Sequence, residues 1–373
     1  MGVPLCTGLS QRLKRFKTRL ASPPSPSSVK GVGVSSSSGP GDQSRRPTLA
    51  DVAARAGVSP GTASLALRGA AGPSAASVQR VRAAAADLGY RADRAASRLA
   101  ARRTRLLGVV LTIRNTFHAE LAEALQDAAD DAGYQVLLHP ATERAGESGA
   151  VDVLLDSRCE ALLLLGTELP ADQLTALDAR TPVVLVGRRA PGLDVVRVDE
   201  ADGTELAVAH LANLGHTRLA HVTGGSGEVA GERREGFLAA ALRRGIGTTV
   251  VDGAFSEDAG AAAAPAVLAS GASGVLAAND RVALGLLDAL RRTGTDVPGA
   301  LSVVGYDDSP LARLGHVGLT SVGQDPPALA AAAVRLAVER LDGGREQPVD
   351  VIVEPRLRVR ATTATRDDEE RGR

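Results

Sequence analysis

A regular alternation of short apolar runs with helix-like stretches spans residues 106–341 and most constrains what this chain can fold into. Uninterrupted apolar runs are typical of parallel strands that are buried on both faces, and helices connect such strands. The pattern predicts strands at 106–113, 134–138, 161–165, 183–187, 218–222, 274–278 and 301–305. It predicts helices near 118–132, 147–156, 170–179, 200–214, 229–243, 257–269, 280–292 and 326–341.

This α/β body has about 255 residues, which favours two lobes over a single domain. We therefore predict doubly wound parallel sheets in a two-lobed core at 105–363, with one further strand within 349–360. A charged tail, 364–373, is expected to follow the core.

The region before the body carries helix signals instead. Thr48 and Asp51 have the spacing of a capping box, with Asp in place of Glu. Gly57 ends this first helix, and Ser59 followed by Pro60 supplies an N-cap and a favoured first residue for a second helix. The spacing predicts two short helices joined by a glycine turn, which is the core of a helix-turn-helix unit.

A third helix begins after Ser74 and ends at Gly89, which completes a three-helix unit at 46–90. The next stretch, 91–104, has helical composition, but Leu99 is its only large apolar residue before the first strand. A helix of this kind is too weak to hold alone in water. We predict a hinge helix and linker here.

Residues 1–45 contain Ser-Pro and Gly-Ser tracts without apolar periodicity. We expect either a disordered extension or the product of a start codon that was assigned too early. No apolar segment of a secretion signal follows its basic residues.

The formal net charge of zero hides an asymmetry along the chain. Residues 48–105 carry ten arginines against three aspartates, and residues 1–47 carry eight basic side chains against Asp42. The rest of the chain is acidic. A basic end on an acidic body repels polyanions from the body and steers them to that end. The arginines alone are weak evidence for phosphate binding, because arginine is frequent throughout the chain.

Several classes of protein are disfavoured. The apolar runs are too short to span a bilayer as a helix. The two cysteines are too few for a disulfide framework or a thiolate metal site. Such a low cysteine count fits a protein of the reducing cytosol. The six histidines show no metal-ligand spacing. We predict a cytoplasmic protein that uses no metal or cofactor and has no membrane partner.

One motif favours an enzyme. Residues 225–230, Gly-Ser-Gly-Glu-Val-Ala, fit a dinucleotide-binding fingerprint, and Asp252 lies 22 residues beyond Ala230. The motif lies in mid-chain, however, and no catalytic His or Cys constellation accompanies it. An NAD(P)-dependent oxidoreductase is therefore a disfavoured alternative, and we predict that the chain is not an enzyme.

Three of the seven aromatic residues lie where an α/β crevice binds ligands. Phe117 follows the first predicted strand, Phe255 precedes a helix, and Tyr306 follows the end of a strand. Aromatic faces beside polar groups suit a sugar or a nucleoside ring. For Tyr306, packing inside a lobe is an equally good alternative.

Two stretches carry a resemblance to a known family: RPTLADVAARAGVSPGTASLALRG at 46–69 and VRAAAADLGYRADRAASRLA at 81–100. They resemble the DNA-binding headpiece and hinge of lactose-repressor-type (LacI/GalR) transcriptional regulators. The body adds RREGF, AAND and SVVGYDD at positions of similar family motifs, namely 233–237, 277–280 and 302–308. The resemblance implies a periplasmic-binding-protein-like core and a homodimer, with a tetramer as the alternative.

The resemblance also implies which residues contact double-stranded operator DNA. The second helix would enter the major groove, and a hinge leucine, here Leu99, would wedge into the minor groove. The implied DNA-contacting residues are Thr48, Ser59, Pro60, Gly61, Thr62, Ser64, Leu65, Arg68, Arg94, Arg98 and Leu99.

The recognition helix departs from many family members. The family's base-reading positions fall on Pro60, Gly61 and Leu65, which cannot hydrogen-bond to base edges. Thr62, Ser64 and Arg68 remain as polar contacts, chiefly to phosphate or sugar. Leu65 is suited to a thymine methyl group. We expect specificity to depend on the hinge and on DNA deformability.

For the body, the resemblance implies an effector site between the lobes. Arg233, Asn279 and Asp307 would be its polar contacts, with Phe117 and Phe255 as walls. Asp307 also has an alternative role as a turn residue. The function implied is that of a repressor whose operator affinity is controlled by a sugar-like or nucleoside effector. A periplasmic-type sugar-binding protein is the alternative, although it would have no use for residues 48–101.

Overall fold

The computed structural model of the protein describes residues 47–90, 103–142 and 144–366. The chain divides into two compact units, one ending at residue 92 and the other beginning at residue 93. The predicted hinge residues Arg94, Arg98 and Leu99 lie outside the described residues, as do residues 1–45. Within the described part of the chain, no helix combines the length and apolarity that a membrane span requires.

Residues 47–90 of the first unit form three helices that begin and end where the capping signals predict. Thr48 and Asp51 form the capping box: the backbone N–H of Thr48 donates to Asp51 Oδ2 at 2.7 Å, and that of Asp51 donates to Thr48 Oγ1 at 3.4 Å. Ser59 Oγ accepts from the backbone N–H of Thr62 at 3.1 Å. The helices are α1 (Leu49–Ala56), α2 (Pro60–Arg68) and α3 (Ala75–Asp87).

Small apolar side chains hold these helices together. Most of the fully buried residues are alanines, joined by Val52 and Val81. Alanine side chains allow helices to approach closely while losing little rotamer entropy. Arg80 of α3 also donates from Nε to the carbonyl of Ala56 at 3.2 Å, which satisfies an otherwise orphaned group at the end of α1.

The second unit consists of two lobes, and the first is built on a six-stranded sheet in which every strand pair is parallel. In spatial order its strands are β11 (Asp350–Val353), β5 (Asp194–Val198), β4 (Val183–Val186), β3 (Ala161–Leu165), β1 (Leu106–Leu111) and β2 (Gln135–Pro140). Its helices are α4 (Thr116–Asp131), α5 (Gly146–Asp156), α6 (Ala171–Asp178) and α11 (Pro326–Leu341). Apolar cores lie on both faces, which explains the continuous apolar runs.

The second lobe repeats this arrangement, except that its last strand is antiparallel to its neighbour. In spatial order its strands are β12 (Arg356–Arg358), β10 (Thr320–Gly323), β9 (Ser302–Asp307), β8 (Gly274–Ala277), β6 (Arg218–Val222) and β7 (Gly247–Val251). Its helices are α7 (Glu200–Asn213), α8 (Glu228–Arg243), α9 (Glu257–Ala269) and α10 (Asp280–Arg292).

Helices α9 and α10 touch backbone to backbone. A Cβ on Gly285 would collide with the carbonyl oxygen of Glu257, and one on Gly260 would collide with that of Val282. Glycine at both positions therefore sets the spacing between the two helices.

The chain passes between the lobes three times. The crossings follow β5, β10 and β11, near residues 199, 324 and 354. Each lobe is therefore assembled from segments that are distant in sequence, and residues next to the crossings, such as Glu200 and Gln324, lie where the lobes meet.

Our prediction of the strands was incomplete. It missed β5, β7 and β10, and it placed one strand in 349–360 where the structure has two, one in each sheet. Polar residues interrupt these segments and find partners only in the folded chain. Arg197 of β5 pairs with Asp350 of β11 at 3.0 Å, and the backbone N–H of Thr320 in β10 donates to Thr362 Oγ1 at 2.9 Å.

The beginning of the predicted charged tail packs on the second lobe. The backbone N–H of Ala364 donates to Ser302 Oγ at 3.1 Å, and that of Arg366 donates to the carbonyl of Leu214 at 2.7 Å. His216 Nε2 lies 3.2 Å from the carbonyl oxygen of Ala364. Residues 364–366 therefore belong to the core, beyond its predicted end at 363.

Candidate functional site

A cavity of about 360 Å³ lies between the two lobes, at the carboxyl ends of both sheets. In each sheet the strand order reverses beside the first strand of the lobe, β1 or β6, and such reversal points are where α/β sheets bind ligands. The structure brings all five predicted effector-site residues to this cavity: Phe117, Arg233, Phe255, Asn279 and Asp307.

Arg233, on α8, is held on several sides by the protein. Its Nε donates to Glu200 Oε2 at 2.8 Å and its Nη2 donates to Glu200 Oε1 at 3.1 Å. Its Nη1 donates to the carbonyl of Ala278 at 2.6 Å. The guanidinium carbon lies 3.6 Å from the centre of the Tyr306 ring, a cation–π contact. The edge of Arg233 that binds carboxylates bidentately is therefore occupied by Glu200.

Tyr306 is fully buried and does not line the cavity. The structure thus favours the packing alternative for this residue. Its ring packs against the Arg233 guanidinium. Its hydroxyl lies against Gly203, where a Cβ would collide with it.

Asp307 ends β9 with a φ of 113°, a conformation that a residue with a side chain rarely adopts. Its Oδ1 accepts from Gln324 Nε2 at 2.6 Å and lies 3.9 Å from Arg233 Nη1. Burial raises the pKa of Asp307 well above its usual range, and Arg233 opposes this shift. Strain of this kind is retained where a functional geometry requires it.

Asn279 and the two phenylalanines complete the predicted set. The side-chain carbonyl of Asn279 caps α10 by accepting from the backbone N–H of Val282 at 3.0 Å. Its amide nitrogen is then the group that can donate to a ligand. The Phe255 ring lies against Gly224, where a Cβ would collide with it, and Phe117 is 7% exposed at the start of α4.

His118 was not predicted, although it follows Phe117 directly. Its Nδ1 accepts from the backbone N–H of Thr112 at 3.1 Å, and burial lowers its pKa to about 4. The ring is therefore neutral at neutral pH, with its proton on Nε2. A neutral N–H donor at the cavity suits a hydroxyl or carbonyl oxygen.

Acidic residues from the first lobe also line the cavity and were missed. Glu147, at the start of α5, accepts from Thr167 Oγ1 and from the backbone N–H of Glu168, the latter at 2.9 Å. In the sequence, Glu147 resembles any acid in the first turn of a surface helix. Only the fold brings it to the cavity.

Two arginines of the first lobe reach glutamates of the second. Arg188 donates from Nε to Glu228 Oε2 at 3.1 Å, and Arg189 pairs with Glu232. Both glutamates lie at the start of α8, which also carries Arg233. These contacts bridge the lobes at the side of the cavity.

The loop that fits the dinucleotide fingerprint lies in this cavity as well. Gly227 caps α8, and the position where a pyrophosphate would meet the helix is flanked by Glu228 and Glu168. A Cβ on Gly227 would lie 3.1 Å from Glu168 Oε1. Glu228 is already paired with Arg188, and the carboxylate of Glu168 at this position repels a phosphate, which argues against dinucleotide binding.

In the first unit, all of the predicted DNA-contacting residues except Thr48 lie at the start or along one face of α2. Pro60, Gly61 and Arg68 are exposed, and Thr62, Ser64 and Leu65 are half-buried. The Thr62 hydroxyl lies 2.9 Å from Ser59 Oγ, and Arg68 Nε donates to the carbonyl of Ser64 at 3.3 Å. Thr48 and Ser59 both act as N-caps, so their hydroxyls also have a structural role.

Comparison with known proteins finds matches in both units. Residues 48–93 match the lacI family of bacterial regulatory proteins, and residues 208–363 match a periplasmic binding protein-like domain. The chain is 33% identical over 338 residues to the HTH-type transcriptional regulator CelR of Thermobifida fusca, with 86% of this chain and 99% of that protein covered.

Solved structures give the same picture. The lac repressor dimer bound to operator and the anti-inducer ONPF is 28% identical with a TM-score of 0.75, covering 86% of this chain and 100% of that one. A complex of the transcriptional regulator CelR with cellobiose is 31% identical with a TM-score of 0.64, covering 85% and 100%.

Proposed function

Since this chain belongs to the lacI family of DNA-binding transcriptional regulators, we propose that it acts as a repressor in the cytoplasm, where a neutral, hydroxyl-rich effector controls its affinity for operator DNA. The effector occupies the cavity between the lobes. The proposal includes a homodimer, because a symmetric operator is read by two headpieces.

The observation that carries this proposal is the convergence of the predicted effector residues. Arg233, Asn279 and Asp307 come from three different elements, α8, the start of α10 and β9, yet they line one cavity with two aromatic side chains. A sugar ring needs apolar faces together with directed donors and acceptors, and this set supplies both.

The available groups match hydroxyls. Asp307 and Glu147 offer carboxylate oxygens, while Asn279 and neutral His118 offer N–H donors. A hydroxyl both donates and accepts, so adjacent hydroxyls can satisfy such pairs. The cellobiose complex of the similar regulator CelR is consistent with an effector of this class.

On the DNA side, the start of α2 is the surface that enters the major groove. Its exposed residues Pro60 and Gly61 permit close approach of the backbone but carry no base-reading groups. Specificity then depends on the hinge, where Leu99 is proposed to wedge into the minor groove, with Arg94 and Arg98 neutralising phosphates. Leu99, Arg94 and Arg98 lie outside the described residues.

The proposal is tested in two steps. Selection from a random duplex library, followed by fluorescence anisotropy, identifies the operator, and a panel of neutral sugars and nucleosides is then screened for altered binding. We expect Asp307→Ala to abolish the effector response while ligand-free operator affinity changes only a few-fold. Failure to select any duplex, or a full ligand response in the Asp307 variant, would contradict the proposal.

A further inference from the structure

The three arginines that line the cavity are each paired with a glutamate. Two of these pairs, at Arg188 and Arg281, include side chains that are 37% and 48% exposed, whereas the Arg233–Glu200 pair is only 4% and 3% exposed. The pairs are Arg188–Glu228, Arg233–Glu200 and Arg281–Glu257. Of the three pairs, only Arg233–Glu200 is shielded from solvent, so its balance of charge affects a ligand in the cavity most strongly.

Glu200 occupies one particular edge of Arg233. The Nε and Nη2 groups donate to its two oxygens at 2.8 and 3.1 Å, the parallel arrangement in which arginine binds a carboxylate or a phosphate. Glu200 thus stands where the anionic group of a ligand would bind.

Apart from neutral His118, the other ionisable side chains at the cavity are acidic. Glu147, Glu168 and Asp307 line it from both lobes, and Arg233 is the one basic group that ion-pairs with any of them, at 3.9 Å from Asp307 within the described residues. An anion placed here would meet the exposed carboxylate of Glu168, the half-buried one of Glu147 and the buried carboxyl group of Asp307. Like charges repel most strongly where water is excluded.

We propose that Glu200 is a specificity-determining residue, which makes the cavity accept neutral polyols and reject ligands that carry a carboxylate or a phosphate. This inference rests on the proposed function in assuming that the cavity binds the effector. Glu200 acts by neutralising Arg233 and by filling its bidentate edge.

Glu200→Gln is the informative change, because glutamine keeps the shape of the side chain and one acceptor but removes its charge. Arg233 then becomes a buried cation without its main counter-ion. An anion that enters the cavity is expected to take the place of Glu200.

Inorganic phosphate and the pair glucuronate and glucuronamide are suitable probes, since the two sugars differ at one group only, an anionic carboxylate in the first and a neutral carboxamide in the second. Isothermal titration and thermal shift are compared in phosphate and in chloride at equal ionic strength. We expect Glu200→Gln to bind phosphate and glucuronate about tenfold or more tightly than the wild type does, because charge-assisted hydrogen bonds to arginine are strong ones. Glucuronamide binding should not gain in the same way.

Glu205→Gln is the matched control. It removes a glutamate from the same helix, but Glu205 pairs with Arg243 and Arg244 on the surface and does not line the cavity. The double variant Glu200→Gln, Arg233→Gln removes the cation as well and should lose the gain in phosphate affinity.

The inference is overturned if folded Glu200→Gln binds phosphate no better than the wild type, or if the double variant keeps the gain. Should Glu200→Gln fail to fold, the wild type still decides: tighter binding of glucuronate than of glucuronamide would refute the role of Glu200. Operator binding is measured separately, so a loss of the proposed DNA function is distinguishable from a loss of this one.

Discussion

Arg188 of the first lobe donates from Nε to Glu228 of the second lobe at 3.1 Å, and the same guanidinium donates from Nη1 to the backbone carbonyls of Thr167 and Leu169. The arginine is thus fixed to its own lobe by two carbonyls and reaches across the cavity with its remaining edge. Glu228 is the first residue of α8, so this contact joins the first lobe to the helix that carries Arg233.

The Arg188–Glu228 ion pair joins the two lobes beside the cavity, so we expect it to stabilise the arrangement that binds the effector. We predict that Glu228→Gln weakens effector binding about two- to fivefold, because a partly exposed ion pair contributes about 0.5–1 kcal/mol. The effect should shrink in 0.5 M salt, since screening removes the wild-type advantage. Isothermal titration calorimetry with the effector found in the sugar screen measures the affinities of wild type and variant at low salt and in 0.5 M salt. An identical ratio of wild-type to variant affinity at low and high salt would show that this ion pair does not stabilise the ligand-bound arrangement of the lobes.

The stability of the core is predicted to depend on Asp280. Burial raises the pKa of this carboxyl to about 6, so the folded state binds more protons than the unfolded state between about pH 4 and 6. Its contribution to the free energy of unfolding is therefore present at low pH and is lost as the pH rises through this window.

Asp280→Asn should make the free energy of unfolding less dependent on pH in this window. The amide can accept from the backbone N–H of Ser309 and donate to Ser321 Oγ, so it replaces both contacts of the carboxyl group, each 2.6 Å long. Urea unfolding at pH 4.5, 5.5 and 7 tests this, with the exposed Asp288→Asn on the same helix as the control. Parallel pH profiles for wild type and Asp280→Asn would contradict the prediction.

Two glycine-to-alanine changes should act in opposite directions. Gly285→Ala forces a methyl group against the carbonyl of Glu257 and should destabilise the fold by about 1–3 kcal/mol or more, because backbone cannot move aside as a side chain can. Gly231→Ala, within α8, meets nothing within 4 Å and should stabilise by about 0.5–1 kcal/mol. Thermal unfolding of both variants measures the difference, and equal effects would refute the close packing of α9 on α10.

Ser59 has a capping role that can be separated from its proposed contact with DNA. Ser59→Ala should destabilise α2 by about 1 kcal/mol through loss of the cap, whereas Ser59→Asp keeps a good cap. The added carboxylate faces phosphates if this helix end enters the groove, so the Asp variant should bind operator more weakly than the Ala variant. Hydrogen exchange measures the stability of α2, and fluorescence anisotropy measures the affinity for operator DNA. If Ser59→Asp binds operator as tightly as the wild type does, Ser59 does not contact DNA.

The sequence predicts those parts of the fold that depend on neighbouring residues. Ser59, Pro60 and Gly57 determine the boundaries of helices through local hydrogen bonds and backbone preferences, and the structure has them as predicted. Continuous apolar runs identify the strands that are buried on both faces, such as β3, for the same reason.

Partners distant in sequence explain what could not be predicted. Strand β5 carries Asp194 and Arg197, whose counter-ions Arg345 and Asp350 lie about 150 residues further along the chain. The helix predicted at 200–214 begins at Glu200, but without β5 nothing placed that residue beside the cavity. The motif indicated Arg233, but its pairing with Glu200 depends on the packing of α7 against α8 and has no local signal.

The three crossings between the lobes also bear on how the protein is made. Strand β11 completes the edge of the first sheet and β12 that of the second, yet both belong to residues 350–358, which leave the ribosome after all the other strands of the two sheets. Each sheet therefore keeps one unpaired edge until these nine residues emerge, and such an edge can pair with other nascent chains. A premature stop codon shortly before residue 350 would therefore damage both lobes at once, including the one whose other five strands end at residue 198.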